Sequence, residues 1–171
     1  MAKYKFTTEL SADGIKNLRK ELSQYKNTLQ HKANLLAKKL SENGVDIARM
    51  QVAKLDAVFT GELISSIEPR EGFSNNNVAV FYVVADSEHA IYVEVGTGKV
   101  GADYPYPGKL PVIYAQGKTI HHTKNGKYGW FYQNEQGEWF FTEGMESRPF
   151  MHETWKELYE PVEKVAKEVF K

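Results

Sequence analysis

Three sets of residues have types and spacings that carry chemical meaning. Gly96-x-Gly98-x-x-Gly101 follows residues 91–95 (IYVEV), which read as a strand. Glycines so spaced after a strand let a backbone approach a dinucleotide pyrophosphate at a helix N-terminus. His121 and His122 offer two imidazoles of the kind that bind divalent metal. Trp130, Phe131 and Tyr132, with Trp139, Phe140 and Phe141, supply aromatic faces on which sugars or single-stranded nucleic acid can stack.

The elements around each set decide between these chemistries. A dinucleotide site needs a helix opening near Gly101, but Pro105 and Pro107 follow closely. Proline lacks an amide hydrogen and restricts the residue before it, so no such helix is expected. The phosphate-loop pattern fails as well, because Lys99 is followed by Val100 and not by Ser or Thr. The glycines are therefore expected to permit positive φ where a strand leaves the core. Adjacent histidines on a strand point to opposite faces and cannot easily share one ion. A metal site would need His89 or His152 brought close, so none is expected. Nor is any cofactor: G-x-S-x-G, H-E-x-x-H and metal-spaced carboxylate clusters do not occur.

Residues 127–141 place two aromatic arms around Asn134-Glu135-Gln136-Gly137, a hairpin signal. Its aromatic faces have three readings: packing on the domain, a protein interface, or a ligand platform. Residues 99–143 as a whole are rich in Gly, Pro and aromatics and read as a β-rich insertion. Before it, residues 3–8 alternate like a short strand. Ser11 or Asp13 offers a helix cap. Ile15, Leu18, Leu22, Tyr25 and Leu29 then recur at spacings of three and four, and the stripe continues as Leu36 and Leu40 after Lys32 breaks it, predicting an amphipathic helix over about 13–41. Its other face carries Lys16, Arg19, Lys20, Lys26 and Lys38, a face for DNA, for an acidic neighbour or for solvent. Asn43-Gly44 reads as a helix stop, with a second helix over 45–58 from Ile47, Met50, Ala53 or Lys54, and Ala57. Residues 60–70 turn on Gly61 into a strand, 72–77 form a loop, and 78–86 make the best strand in the chain. Residues 87–95 fit a strand or a short helix. Pro149 suits the start of a last helix, with Met151, Trp155, Leu158, Val162, Val165 and Val169 as its stripe. Pro161 is expected to kink or break it.

The chain of 171 residues has no cysteine and no net charge. Disulfide frameworks and thiolate chemistry are excluded. Charge is divided: residues 1–60 hold 11 Lys/Arg against 6 Asp/Glu, and residues 61–171 hold 11 against 16. Such a molecule is no generic nucleic-acid binder, and two oppositely charged ends would favour docking of copies or partners. The start MAKYKFTTELS lacks the apolar core of a signal peptide, and residues 78–85 are too short to cross a bilayer. A soluble protein made in the cytoplasm, with no membrane partner, is expected. The fold expected is a single α+β domain. A long N-terminal helical region and a C-terminal helix pack on an antiparallel sheet of about four strands, with the aromatic hairpin inserted.

Three segments, in order, carry a family resemblance. YVEVGTG (92–98) resembles the Y-V-E-[FV]-G-T-G signature of the tail-completion, or neck, proteins of long-tailed bacteriophages. DAVFTGELISSI (56–67) resembles that family's T-G-x-L-x-x-S-I segment, and SRPFMHETW (147–155) its R-P-F-[ML] helix start. The resemblance covers roughly residues 8–98 and 144–171. It implies a structural virion component that joins head and tail or completes the tail, assembled in the host cytoplasm. Its partners would be copies of itself, often in a ring, and neighbouring neck and tail proteins, with DNA contact not expected. It brings no catalytic residues. Glu94, Gly96, Thr97, Gly98, Arg148, Pro149 and Phe150 match the motifs, and their implied roles are architectural. Arg148 is placed to hold a carboxylate such as Glu94, or to sit on the surface beside the helix start. Phe150 is expected in the core and Thr97 on local backbone. Trp130 and Trp139 remain interface candidates. The rival functions are a carbohydrate- or ligand-binding module using hairpin 127–141, and a small metal-dependent hydrolase or nuclease.

Overall fold

The computed structural model describes residues 4–57, 61–75, 78–109, 122–134 and 136–171. The fold is α+β. Its helices are α1 (Ala12–Lys54), α2 (Glu62–Ser65), α3 (Ala90–Val95), α4 (Gly98–Asp103), α5 (Phe150–Glu157) and α6 (Tyr159–Val169). Its strands are β1 (Ile67–Glu71), β2 (Phe81–Ala85), β3 (His122–Lys124), β4 (Lys127–Gln133), β5 (Trp139–Thr142) and β6 (Gly144–Met145). The sheet expected to have about four strands is instead two small ones, β1-β2 and β3-β4-β5. Residues 62–65, which read as strand, are helical, and of the two readings open for residues 87–95 the short helix forms, over 90–95. In α3 Ala90, Val93, Glu94 and Val95 are buried, and the first three are spaced i, i+3, i+4, a helical face that alternation alone does not capture. Among the described residues, no helix is long and apolar enough to cross a membrane.

The chain divides into two compact units. One comprises Met1–Val45, Pro69–Val84 and Leu158–Lys171, the other Asp46–Glu68 and Ala85–Glu157.

In the first unit, Ser11 caps α1, its hydroxyl accepting the Gly14 amide at 3.1 Å. Residues 4–9 do not form the expected strand. Instead the Tyr4 and Phe6 rings lie on Tyr25, with centroids 4.7 and 5.5 Å away. The expected stop at Asn43-Gly44 is also absent, because α1 runs through it. Gly44 is there for close approach: a Cβ on it would lie 2.6 Å from Val83 Cγ2 of β2 and 3.7 Å from Leu158. The missing side chain lets helix and strand meet. In α6, Val165 and Val169 are buried.

In the second unit the core is Ala48, Val52, Ala57, Leu63, Ile67, Ala90, Val93, Val95 and Phe150. The end of α1 buries Ala48, Gln51 and Val52 rather than the expected Met50 and Ala53, so the inward face is turned by about one residue. Gln51 donates to Glu157 of α5, and Arg49 donates to the Ile67 carbonyl at 2.9 Å. The last helical region breaks between α5 and α6, at Leu158. Pro161 has no amide to offer the Glu157 carbonyl, so the helix is broken where its bonding is interrupted. The stripe through Met151 and Trp155 consequently does not continue, and α5 buries Phe150 and Thr154 instead.

Gly44→Val tests the close approach. Generic helix propensity favours valine over glycine, but the added carbons meet Val83. A loss of roughly 1–3 kcal/mol in urea melts is expected from overpacking. A gain in stability would contradict the packing role.

Candidate functional site

A proline-initiated helix leaves its first amides without partners inside the helix. At α5 every one of them finds a partner in the same unit. Phe150 N donates to the Arg148 carbonyl at 2.8 Å, and Glu153 N donates to the Pro149 carbonyl at 2.9 Å. Between them, Met151 N and His152 N donate to the two oxygens of the Glu94 carboxylate, each at 2.9 Å. Glu94 is only 8% exposed. Its charge faces the positive end of the α5 dipole, where a carboxylate is stabilised. Pro149 stands just before the helix, as its sequence position suggests.

The junction draws in the rest of the 147–150 segment. Arg148 N donates to the Val93 carbonyl at 2.8 Å, and the Ser147 hydroxyl donates to the Glu94 carbonyl at 2.7 Å. The start of α5 is thus stitched to α3 by both backbone and side chain. Phe150 is fully buried, as expected. The expected Arg148–Glu94 pair does not form, because the Glu94 carboxylate is taken by the α5 amides. Arg148 Nη1 instead donates to the Asp56 carbonyl at 2.7 Å, and Nη2 lies 3.6 Å from Glu146. Asp56 has φ 50°, an unfavourable conformation for a residue with a side chain. The guanidinium fixes the carbonyl of that turn. Arg148 Nε is buried and has no hydrogen-bond partner among the described residues.

The glycines pack against the same segment. Gly96 has φ 75° and Gly98 has φ 62°. A Cβ on Gly96 would lie 2.7 Å from Ser147 N, and one on Gly98 would strike the Glu143 carbonyl. Thr97 and Gly98 bridge to Met145 and Gly144. The Thr97 hydroxyl accepts the Met145 amide at 3.2 Å, so it bonds backbone as expected, but backbone 48 residues away. Against expectation, a helix does follow the glycines. It is α4, six residues long, and it ends at Asp103 ahead of Tyr104-Pro105, so the proline limits the helix without preventing it. The space a pyrophosphate would need is filled by residues 143–147 of the chain itself.

The aromatic hairpin forms as expected. Trp130 pairs with Thr142, Phe131 with Phe141, Tyr132 with Phe140 and Gln133 with Trp139. Its tip is closed by Asn134, whose side-chain oxygen accepts Glu138 N at 2.8 Å and whose backbone carbonyl accepts Gly137 N at 3.0 Å. Directly opposed residues share a face, so each face carries aromatics. Trp130 is half-buried with its ring over Gly98, while Trp139 is 67% exposed. Packing on the domain therefore accounts for Trp130 and not for Trp139. His121 lies outside the described residues, as does the side chain of His122. Among the described residues, no group of three or more His, Cys, Asp or Glu side chains converges as a metal site would require.

Sequence reasoning missed Tyr106 and His152. Tyr106 lies beside the Glu94 carboxylate, which its hydroxyl helps to keep ionised, and its ring meets the His152 ring edge-on at 5.6 Å. Tyr106 sits in a proline-flanked loop, where no periodicity points to it. Burial pushes the Glu94 carboxyl above the usual carboxylate range, opposed by the two amides, the Tyr106 hydroxyl and His152. Burial, then the neighbouring Glu94 charge, pushes the Tyr106 phenol up. No family model, curated protein or solved structure matches the chain.

Two predictions follow from the junction's chemistry. Since the folded-state pKa of Glu94 lies above its unfolded value, its stabilising contribution is complete below the ordinary carboxylate range and declines as pH rises through the raised value. The stability of the wild type relative to Glu94→Gln, from urea melts across pH, should be greatest at the acid end and shrink with rising pH. A difference that widens with pH would refute the burial effect. Arg148→Ala removes the charged donor from the Asp56 carbonyl and should cost about 1–3 kcal/mol. An unchanged melting curve would reject the clamp.

Proposed function

We propose that this chain is a structural component of a long-tailed phage virion that joins head to tail or completes the tail. It works by self-association and by docking to neighbouring neck and tail proteins. One observation carries the reading. The segments that resemble the family, 56–67, 92–98 and 147–155, lie far apart in sequence. Yet Asp56, Glu94 and Arg148 from these three segments take part in one junction. Arg148 bonds the Asp56 carbonyl and Glu94 bonds the α5 amides, commitments to backbone of the kind that an architectural motif requires. This supports a role in which the motif holds a shape and the work is done by surfaces.

Two surfaces suit docking. The hairpin presents Trp139, Phe140, Phe131 and Tyr132, each at least 41% exposed. Tyr132 and Phe140 share one face and Phe131 and Trp139 the other, and exposed aromatics are the usual anchors of protein interfaces. The lysine face of α1, with Lys16, Arg19, Lys20 and Lys26 all exposed, suits an acidic neighbour.

The test is a phage carrying a stop codon in this gene. Electron micrographs of its lysate should show filled heads and tails that are unjoined, or tails without a finished end. Complementation with the intact gene should restore virions. Normal, infectious particles from the mutant would overturn the proposal.

A further inference from the structure

The first half of α1 exposes the stripe expected to be buried. Ile15 is 56% exposed, Leu22 46% and Leu29 38%, with Leu18 and Tyr25 partly covered between them. An amphipathic helix normally buries its apolar stripe, and a stripe left in water marks a surface for interaction. The spacing is that of a heptad repeat: Ile15, Leu22 and Leu29 fall at one seam position and Leu18 and Tyr25 at the other. The seam ends where α1 turns to its own unit. Lys32, at the next seam position, donates to the Lys171 carbonyl at 3.0 Å and lies over the Phe170 ring.

We infer that this stripe is a helix-pairing seam for a second copy of the chain, with the two α1 helices parallel and in register. The inference rests on the reading of the chain as a self-associating virion component and names the surface used. The flanking charges set the partner and its direction. Glu21 lies on one flank of the seam, and Arg19 and Lys26 lie on the other. In a parallel pair, the flank residue of one helix meets the residue five later on its partner. Glu21 of each copy then faces Lys26 of the other, an attractive pair formed twice. In an antiparallel pair like flanks meet, and Arg19 and Lys26 would face cations. Tyr4 and Phe6 lie on Tyr25 and leave the three leucine and isoleucine positions of the outer seam exposed. Beside Tyr25 and Leu29 a groove of about 350 Å³, walled also by Val78 and Ala79, gives room for a partner's side chains. Two heptads are short for a free-standing coiled coil, so the seam suits copies held together at high local concentration in an assembly.

The chain has no cysteine, which makes the test direct. Leu22→Cys places a thiol on the seam, and Lys20→Cys places one on the outer face. In a parallel, in-register pair the two copies of residue 22 come within disulfide reach. Under mild oxidation of assembled particles carrying each variant, where copies are held together, Leu22→Cys should yield several-fold more linked dimer than Lys20→Cys. Adding Glu21→Lys to Leu22→Cys should reduce that yield, and adding Lys26→Glu as well should restore it. Equal linkage at both positions, linkage at neither, or a yield indifferent to the charge exchange would each overturn the seam. These failures would be distinct from failure of the virion reading, which is judged by particles in the lysate. A mutant that leaves heads and tails unjoined while residue 22 fails to cross-link would reject the seam alone.

Discussion

The structure around the motif residues depends on one buried anion at one helix start. Glu94 is removed from water, which penalises its charge. Met151 N and His152 N would otherwise be unsatisfied amides at the start of α5. Each fault is corrected by the other. The carboxylate gains two hydrogen bonds and the favourable end of a helix dipole, and the amides gain an acceptor. Burial still dominates, which is why the Glu94 carboxyl stays above the usual range. Because the partners are 57 and 58 residues apart, this interaction fixes long-range topology and not merely a helix end.

The glycines, Thr97 and Arg148 follow from that constraint. Once α5 begins against α3, residues 143–147 must pass close to residues 96–98. Only glycine at 96 and 98 leaves room for that backbone. A pattern that reads as a phosphate cradle is thus a cradle for the chain's own backbone, and the anion at the nearby helix start is the chain's own carboxylate. Arg148 then reaches past the junction to the Asp56 turn. The function proposed above draws on this: a motif whose groups are committed internally is suited to holding surfaces in place.

Much of this was legible in residue types and less of it in partners. Phe150 in the core, the start at Pro149, the break before Pro161 and the hairpin all follow from local rules that need no knowledge of the rest of the chain. The length of α1 did not, because Gly44 reads as a stop unless one knows that Val83 packs against it. The helical state of 90–95 was obscured because Val and Ile suit either element, and the burial of Glu94 carries no apolar signal. Arg148 was given the wrong partner for a simple reason. Charge suggests a carboxylate, but the unpartnered helix amides compete for the same oxygens and hold both of them. Tyr106 was invisible because a loop residue's contacts are set only by the folded chain. The exposure of Ile15, Leu22 and Leu29 could not be read either, since an apolar stripe gives the face and not what covers it.

The most direct measurement is amide hydrogen exchange, residue by residue by NMR, at Met151 and His152. If Glu94 caps α5, both amides should exchange far more slowly than that of Gly126 in the open β3–β4 turn, despite their place in the helix's first turn. Exchange at Met151 and His152 as fast as at Gly126 would mean that the carboxylate does not hold the helix start, and the account built on it would fail.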